Sequence, residues 1–122
     1  MNLSSKPRPS IFTITSLYIK KFKDKNFDIT AETVEWGRER VVGFYTDLNT
    51  ARKCVIEDWG AFEEAGYYNH IVIEKVVEGL YNIEGTMNKP NQWWFRFDGN
   101  ERKWVECVIP NAVNHVINIS VG

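Results

Sequence analysis

The sequence predicts an α+β domain: an antiparallel β-sheet with one main amphipathic helix packed on it and a short C-terminal helix. Three observations carry this. Stretches rich in Ile, Val, Thr, Phe, Tyr and Trp alternate with Gly, Pro, Asn and Asp turn residues over most of the chain. The apolar spacing switches to three and four residues between Leu48 and Phe62. The stretch HIVIEKVV, His70 to Val77, is apolar on both faces near its start, which suits a central strand.

In chain order, residues 1–10 carry Ser, Lys6, Arg8 and two prolines and read as a flexible arm. Residues 11–122 then form a single α+β ligand-binding domain. IFTITSLYIKKF, Ile11 to Phe22, has strand composition, and KDKN supplies the turn. FDITAETVEWGRERVVGFY, Phe27 to Tyr45, reads as one or two strands, with Gly37 and Gly43 marking a bend or bulge. In a regular strand Val34, Trp36 and Arg38 would share one face.

Thr46 or Asp47 can cap the helix that follows. Leu48, Ala51, Val55, Trp59 and Phe62 give it one apolar stripe over roughly three to four turns, ended by Gly60 or Gly66. GYYN leads into the central strand, and EGLY, Glu78 to Tyr81, turns the chain into a short strand. Residues 85–91 are a loop. QWWFRFD and KWVECVI pair as a hairpin across DGNER, where Asp98-Gly99 is a strong turn signal. Pro110 opens the tail as a helix N1 residue, with Val113, Val116 and Ile117 on one face.

At 122 residues the chain has room for one hydrophobic core. A formal net charge of −1 argues against duplex nucleic acid as a partner. No apolar run approaches membrane-spanning or signal-peptide length. Cys54 and Cys107 make no disulfide framework and read as free thiols of a cytoplasmic protein.

Catalytic and metal-site patterns are missing from the sequence. His70 and His115 have no partner at metal-ligand spacing, and there is no cofactor fingerprint or phosphate-cradling glycine loop. Cys54 and Cys107 sit in apolar surroundings that suit inert thiols. Glu57 and Asp58 are adjacent acids, which a solvated helix face also explains.

Binding chemistry is richer. Alternation puts Trp93, Phe95 and Phe97 on one face of QWWFRFD, as core, and Trp94, Arg96 and Asp98 on the other. A flat ring beside a guanidinium suits a nucleotide, by stacking and phosphate pairing. A half-buried Trp94 with Arg96 paired to Asp98 is the competing reading. Tyr67, Tyr68 and Asn69 stand at the entrance to the central strand, where they serve either binding or turn chemistry. Arg38 and Arg40 either neutralise phosphates or guard a strand edge.

VVGFYTDLNTARKCV, GYYNHIVIEKVVEGLY, WWFRFD and the terminal NISVG, in that order over residues 40–122, resemble the small phage-encoded Thoeris anti-defence sponge family. The resemblance implies a protein of the host bacterial cytoplasm that is not an enzyme and needs no cofactor. It implies sequestration, without cleavage, of a cyclic ADP-ribose isomer made by a TIR-domain enzyme. It also implies a homodimer or higher homo-oligomer with pockets near subunit contacts, and in some members a second site for cyclic oligonucleotides. Such a ligand offers a purine, a pyrophosphate and ribose hydroxyls. The local reading assigns stacking to Phe44, Tyr68 and Trp94, phosphate to Arg40 and Arg96, and polar readout to Asn69. The alternative is a protein-interaction inhibitor of a host defence protein, with Trp36, Trp59 or Trp94 as hot spots. A nucleotide hydrolase using Glu57 or Asp58 is a third reading.

Overall fold

The computed structural model describes residues 9–24, 29–79, 91–113 and 119. Of the arm expected over residues 1–10 the first eight residues, together with the short strand after Glu78 and most of the C-terminal helix, lie outside the described residues, while Ser10 belongs to a strand and not to the arm. Among the described residues seven strands and one α-helix follow in order: β1 (Ser10–Leu17), β2 (Ile19–Asp24), β3 (Ile29–Val34), β4 (Arg40–Tyr45), α1 (Leu48–Ile56), β5 (His70–Val77), β6 (Gln92–Asp98) and β7 (Lys103–Cys107). A 3-10 turn, Asn111–Val113, begins where the C-terminal helix was expected. The fold is α+β, with every strand pairing antiparallel.

A five-stranded sheet has the order β4-β1-β5-β6-β7, and β2 and β3 form a separate two-stranded sheet. The central position of β5 matches its composition: Ile71, Val72, Ile73 and Glu74 are all completely buried. The single strand expected over Ile11 to Phe22 is divided at Tyr18, so that β1 enters one sheet and β2 the other. The segment expected over Phe27 to Tyr45 is also divided. Gly37 (φ +90°) makes the turn between β3 and β4, so Val34, Trp36 and Arg38 do not share a strand face. Near Gly43 the β1–β4 register slips by one residue, as a β-bulge does.

One face of the large sheet packs on α1. Ala51, Cys54 and Val55 of the helix meet Ile14, Ile71, Ile73, Phe95 and Trp104, with Trp93 and Phe97 at the margin. Each fully buried aliphatic or aromatic side chain there contributes about 1.5–3 kcal/mol. The opposite face carries a second cluster in which Leu17, Ile19, Val34 and Val113 surround Val72 and Trp94. That face is therefore covered beside Trp94.

The helix starts as its sequence requires. Asp47 is extended, and its carboxylate accepts from the Thr50 N–H and hydroxyl, both at 2.8 Å. Those bonds hold the Asp47 carboxyl below its ordinary pKa.

Its end departs from the expectation. Trp59 N–H bonds to Cys54 C=O and Asp58 N–H to Val55 C=O, with Asp58 at φ +52°. This is a Schellman motif with aspartate where glycine is usual. The helix is nine residues long and stops before either glycine. Phe62 is still buried, but Trp59 is 50% exposed, so the stripe was only partly helical. The Asp58 carboxylate accepts from the Phe62 N–H at 2.8 Å and the Trp104 indole at 3.3 Å, which ties the helix end to the core.

Candidate functional site

Beyond the helix the chain makes successive three-residue turns. Ala61 N–H bonds to Asp58 C=O, Glu64 N–H to Ala61 C=O, and Tyr67 N–H to Glu64 C=O. Asp58, Ala61, Glu64 and Ala65 all have left-handed φ near 50°. Non-glycine residues there cost about 1–2 kcal/mol each. This coil lies beside β4, an edge strand of the large sheet.

Two features share this side of the molecule. The first is a cleft of about 240 Å³ between β4 and the coil, lined by Val42, Phe44, Tyr45, Trp59, Gly60 and Phe62 among others. Tyr45 and Trp59 meet edge to face at 6.2 Å. Phe44 is 60% exposed, and register places it beside Thr13, so its ring projects on the side away from α1. Val41 projects there too and is exposed.

The second is a corner where β1 passes into β2. The Arg38 guanidinium lies over the Tyr18 ring at 4.3 Å and over the Tyr67 ring at 3.9 Å. Tyr67 packs edge to face on Tyr68 at 4.8 Å. Arg40 reaches Glu64 at 3.2 Å. Burial pushes the Tyr68 phenol above its ordinary pKa, Glu64 and Tyr67 add to the rise, and Arg40 and Arg38 oppose it. Both arginines therefore act on the same place.

The residues singled out from the sequence separate. Phe44, Arg40 and Arg96 are exposed. Tyr68 is 4% exposed and Trp94 3%, so neither presents an open ring. Trp94 belongs to the second core cluster, and its indole N–H donates to Gln92 Oε1 at 3.1 Å. Gln92 in turn donates to the buried Glu74 at 2.8 Å, and Glu74 also accepts from the Ile119 N–H.

Asn69 is fully engaged by the fold. Its Oδ1 accepts from the Ile19 N–H and its Nδ2 donates to the Ile19 C=O, both at 2.9 Å. The amide thus pairs with Ile19 as a strand would. Because Oδ1 is the acceptor, the His70 Nδ1 at 2.7 Å is the protonated ring nitrogen. Burial, with Lys21 and Arg96, lowers the His70 pKa to about 4.

Arg40 and Arg96 do not converge. Arg40 pairs with Ser16 on β4, whereas Arg96 pairs with His70 on β6, three strand spacings or about 14 Å away. Asp98 does not ion-pair with Arg96; its carboxylate accepts from the Asn100 and Glu101 N–H groups and holds the hairpin turn. Burial pushes the Cys54 and Cys107 thiols above their ordinary pKa, which lowers their thiolate fraction. Tyr18 gave no signal in the sequence, because its role arises only where the chain turns between two sheets.

Among the described residues no cluster of three or more His, Cys, Asp or Glu could hold a metal, and no helix is long and apolar enough to cross a membrane. Comparisons with protein-family models, curated proteins and solved structures find no match to this chain.

Proposed function

We propose that the protein is a non-enzymatic sponge that binds a cyclic ADP-ribose isomer from a TIR-domain enzyme and so blocks Thoeris defence in the bacterial cytoplasm. The supporting observation is the open β4 edge, where a cleft lined by Tyr45 and Trp59 opens on the α1 side, the exposed Phe44 ring projects on the opposite side and Arg40 stands at the start of the strand. Rings of this kind stack on a purine, and a guanidinium pairs with pyrophosphate. A cleft of about 240 Å³ is smaller than the ~300–1,000 Å³ of most small-molecule sites. It takes the base, and the rest of the ligand is enclosed by a second copy of the chain placed against β4. An exposed edge strand bearing Val41 and Phe44 suits such a contact. Phe44 and Arg40 are the contact residues in this reading. Tyr68 and Asn69 support the surface without touching the ligand.

Isothermal titration with the cyclic isomers, followed by heat denaturation and chromatography of the released small molecule, tests the reading. Tight binding with unchanged ligand recovered is the expected result. A changed product would make the protein an enzyme. Phe44→Ala should weaken binding by about tenfold or more, as loss of a stacked ring does.

A second reading rests on the exposure of Trp36 and Trp59 at 51% and 50%. Exposed tryptophans are the side chains that anchor protein interfaces, which suits an inhibitor of a host defence protein. It is favoured if no isomer gives heat and a complex with a host protein survives gel filtration.

A further inference from the structure

We infer that Arg38 is a preorganised binding site for a phosphate or pyrophosphate group, at the corner between the two sheets and separate from the β4 cleft. The guanidinium is held by stacking and not by pairing. It lies 4.3 Å from the Tyr18 ring centre and 3.9 Å from that of Tyr67, well inside cation–π range. Its Nε is buried and has no hydrogen-bond partner among the described residues. Its nitrogens form no ion pair with a described carboxylate either. A buried unpaired donor is unusual and calls for an explanation.

Two neighbouring carboxylates are turned elsewhere. Glu39 accepts from the Gly37 N–H at 2.7 Å, and Glu64 reaches Arg40 at 3.2 Å. The fork of Arg38 is thus left with donors to spare and little rotational freedom to lose. A planar, immobilised guanidinium suits bidentate binding of a phosphate, and its rigidity lowers the entropic cost of capture. A doubly charged phosphate gains more from the guanidinium than a singly charged carboxylate does. Trp36, two residues before Arg38, is exposed and offers a surface for a base, while the half-exposed Tyr67 ring stacks on the guanidinium itself.

The inference does not depend on the identity of the ligand at the β4 edge. Its test is calorimetric titration of the full chain with pyrophosphate, acetate and ADP at low ionic strength, for the wild type, Arg38→Lys and Phe44→Ala. Lysine keeps the charge but loses the fork. Pyrophosphate should bind the wild type and Phe44→Ala alike, should bind Arg38→Lys about tenfold more weakly, and should outcompete acetate. Tighter binding of ADP identifies a nucleotide as the source of the phosphate, whereas equal binding identifies the free anion; either supports the site. Unchanged affinity in Arg38→Lys, or no pyrophosphate binding by the wild type, overturns it. Unfolding curves for each variant keep loss of fold apart from loss of binding. If Phe44→Ala fails to bind the cyclic isomer yet keeps pyrophosphate affinity, the two sites are separate.

Discussion

Replacing Asn69 by Ala separates a fold role from a ligand role at a position where the sequence admitted both. In the structure the amide spans Ile19, accepting from its N–H and donating to its C=O at 2.9 Å each. Ile19 is 2% exposed, so water does not readily replace the amide. Leaving each backbone group unsatisfied costs about 1–3 kcal/mol, and partial relaxation at the corner puts the sum at about 2–4 kcal/mol. That is a large share of the ~5–15 kcal/mol that stabilises a typical domain. Asn69→Asp keeps an acceptor for the Ile19 N–H but sets a carboxylate against the Ile19 carbonyl, so near neutral pH it should destabilise at least as much. Urea unfolding gives the magnitude, and amide exchange at Ile19 gives the location, because its N–H should lose protection ahead of the β5 amides. A change in stability below about 0.5 kcal/mol would refute the clamp, since that is within the range of ordinary surface substitutions. Loss of ligand binding at unchanged stability would return Asn69 to the role of reader.

Three further outcomes are expected. At Asp58 the order of stability should be Asp58→Asn above Asp58→Gly above Asp58→Ala in urea titration, with about 1 kcal/mol between the last two; Asn retains Oδ1 for Phe62 and Trp104, Gly relieves the φ of +52° without it, and Ala does neither. The His70 pKa is lowered to about 4 in the fold, so the unfolded chain takes up the proton first as pH falls; stability is fully present above about pH 6.5, declines toward pH 4 by on the order of 3 kcal/mol, and His70→Gln should flatten the decline in melting temperature over that window. Trp94→Ala should cost about 3–5 kcal/mol by thermal unfolding, whereas Trp94→Phe should cost less, because a phenyl ring still fills part of the site while the indole bond to Gln92 and one ring's packing are lost.

Much of the fold was legible because periodicity survives burial. Alternation in QWWFRFD assigned Trp93, Phe95 and Phe97 to the α1 face and Trp94 and Arg96 to the other, and the clusters follow it. HIVIEKVV announced a central strand by having no polar face at its start. Alternation does not say what covers the second face. Here Ile19 and Val34 arrive from the β2–β3 sheet, Leu17 from the end of β1 and Val113 from the C-terminal segment, and a ring expected at an open surface becomes core. The end of α1 was hidden for a different reason. Phe62 continues the three-and-four spacing and is buried, yet it returns to the core from a turn, and Asp58 occupies the left-handed position that glycine would have announced.

The surface proposed for binding was less legible than the core because it is built at junctions. Arg38 stood out only as one of two arginines near Trp36, and nothing in its neighbours distinguishes it from a strand-edge charge. Its environment comes from Tyr18, twenty residues earlier, and Tyr67, twenty-nine residues later. Tyr18 is brought in because the chain changes sheets between Leu17 and Ile19, and Asn69 fixes that change by pairing with Ile19. Tyr67 is brought in by the coil of left-handed residues after α1. The conformational cost of that coil is met by the hydrogen bonds of Asp58 and the burial of Phe62. Residues that hold the corner together, such as Asn69 and Tyr68, thus look in sequence like residues that bind, while the side chain with unpaired donors looks like an ordinary surface charge. Capacity to bind belongs to groups whose hydrogen bonds the fold leaves unmade, and only the three-dimensional pairing reveals which groups those are.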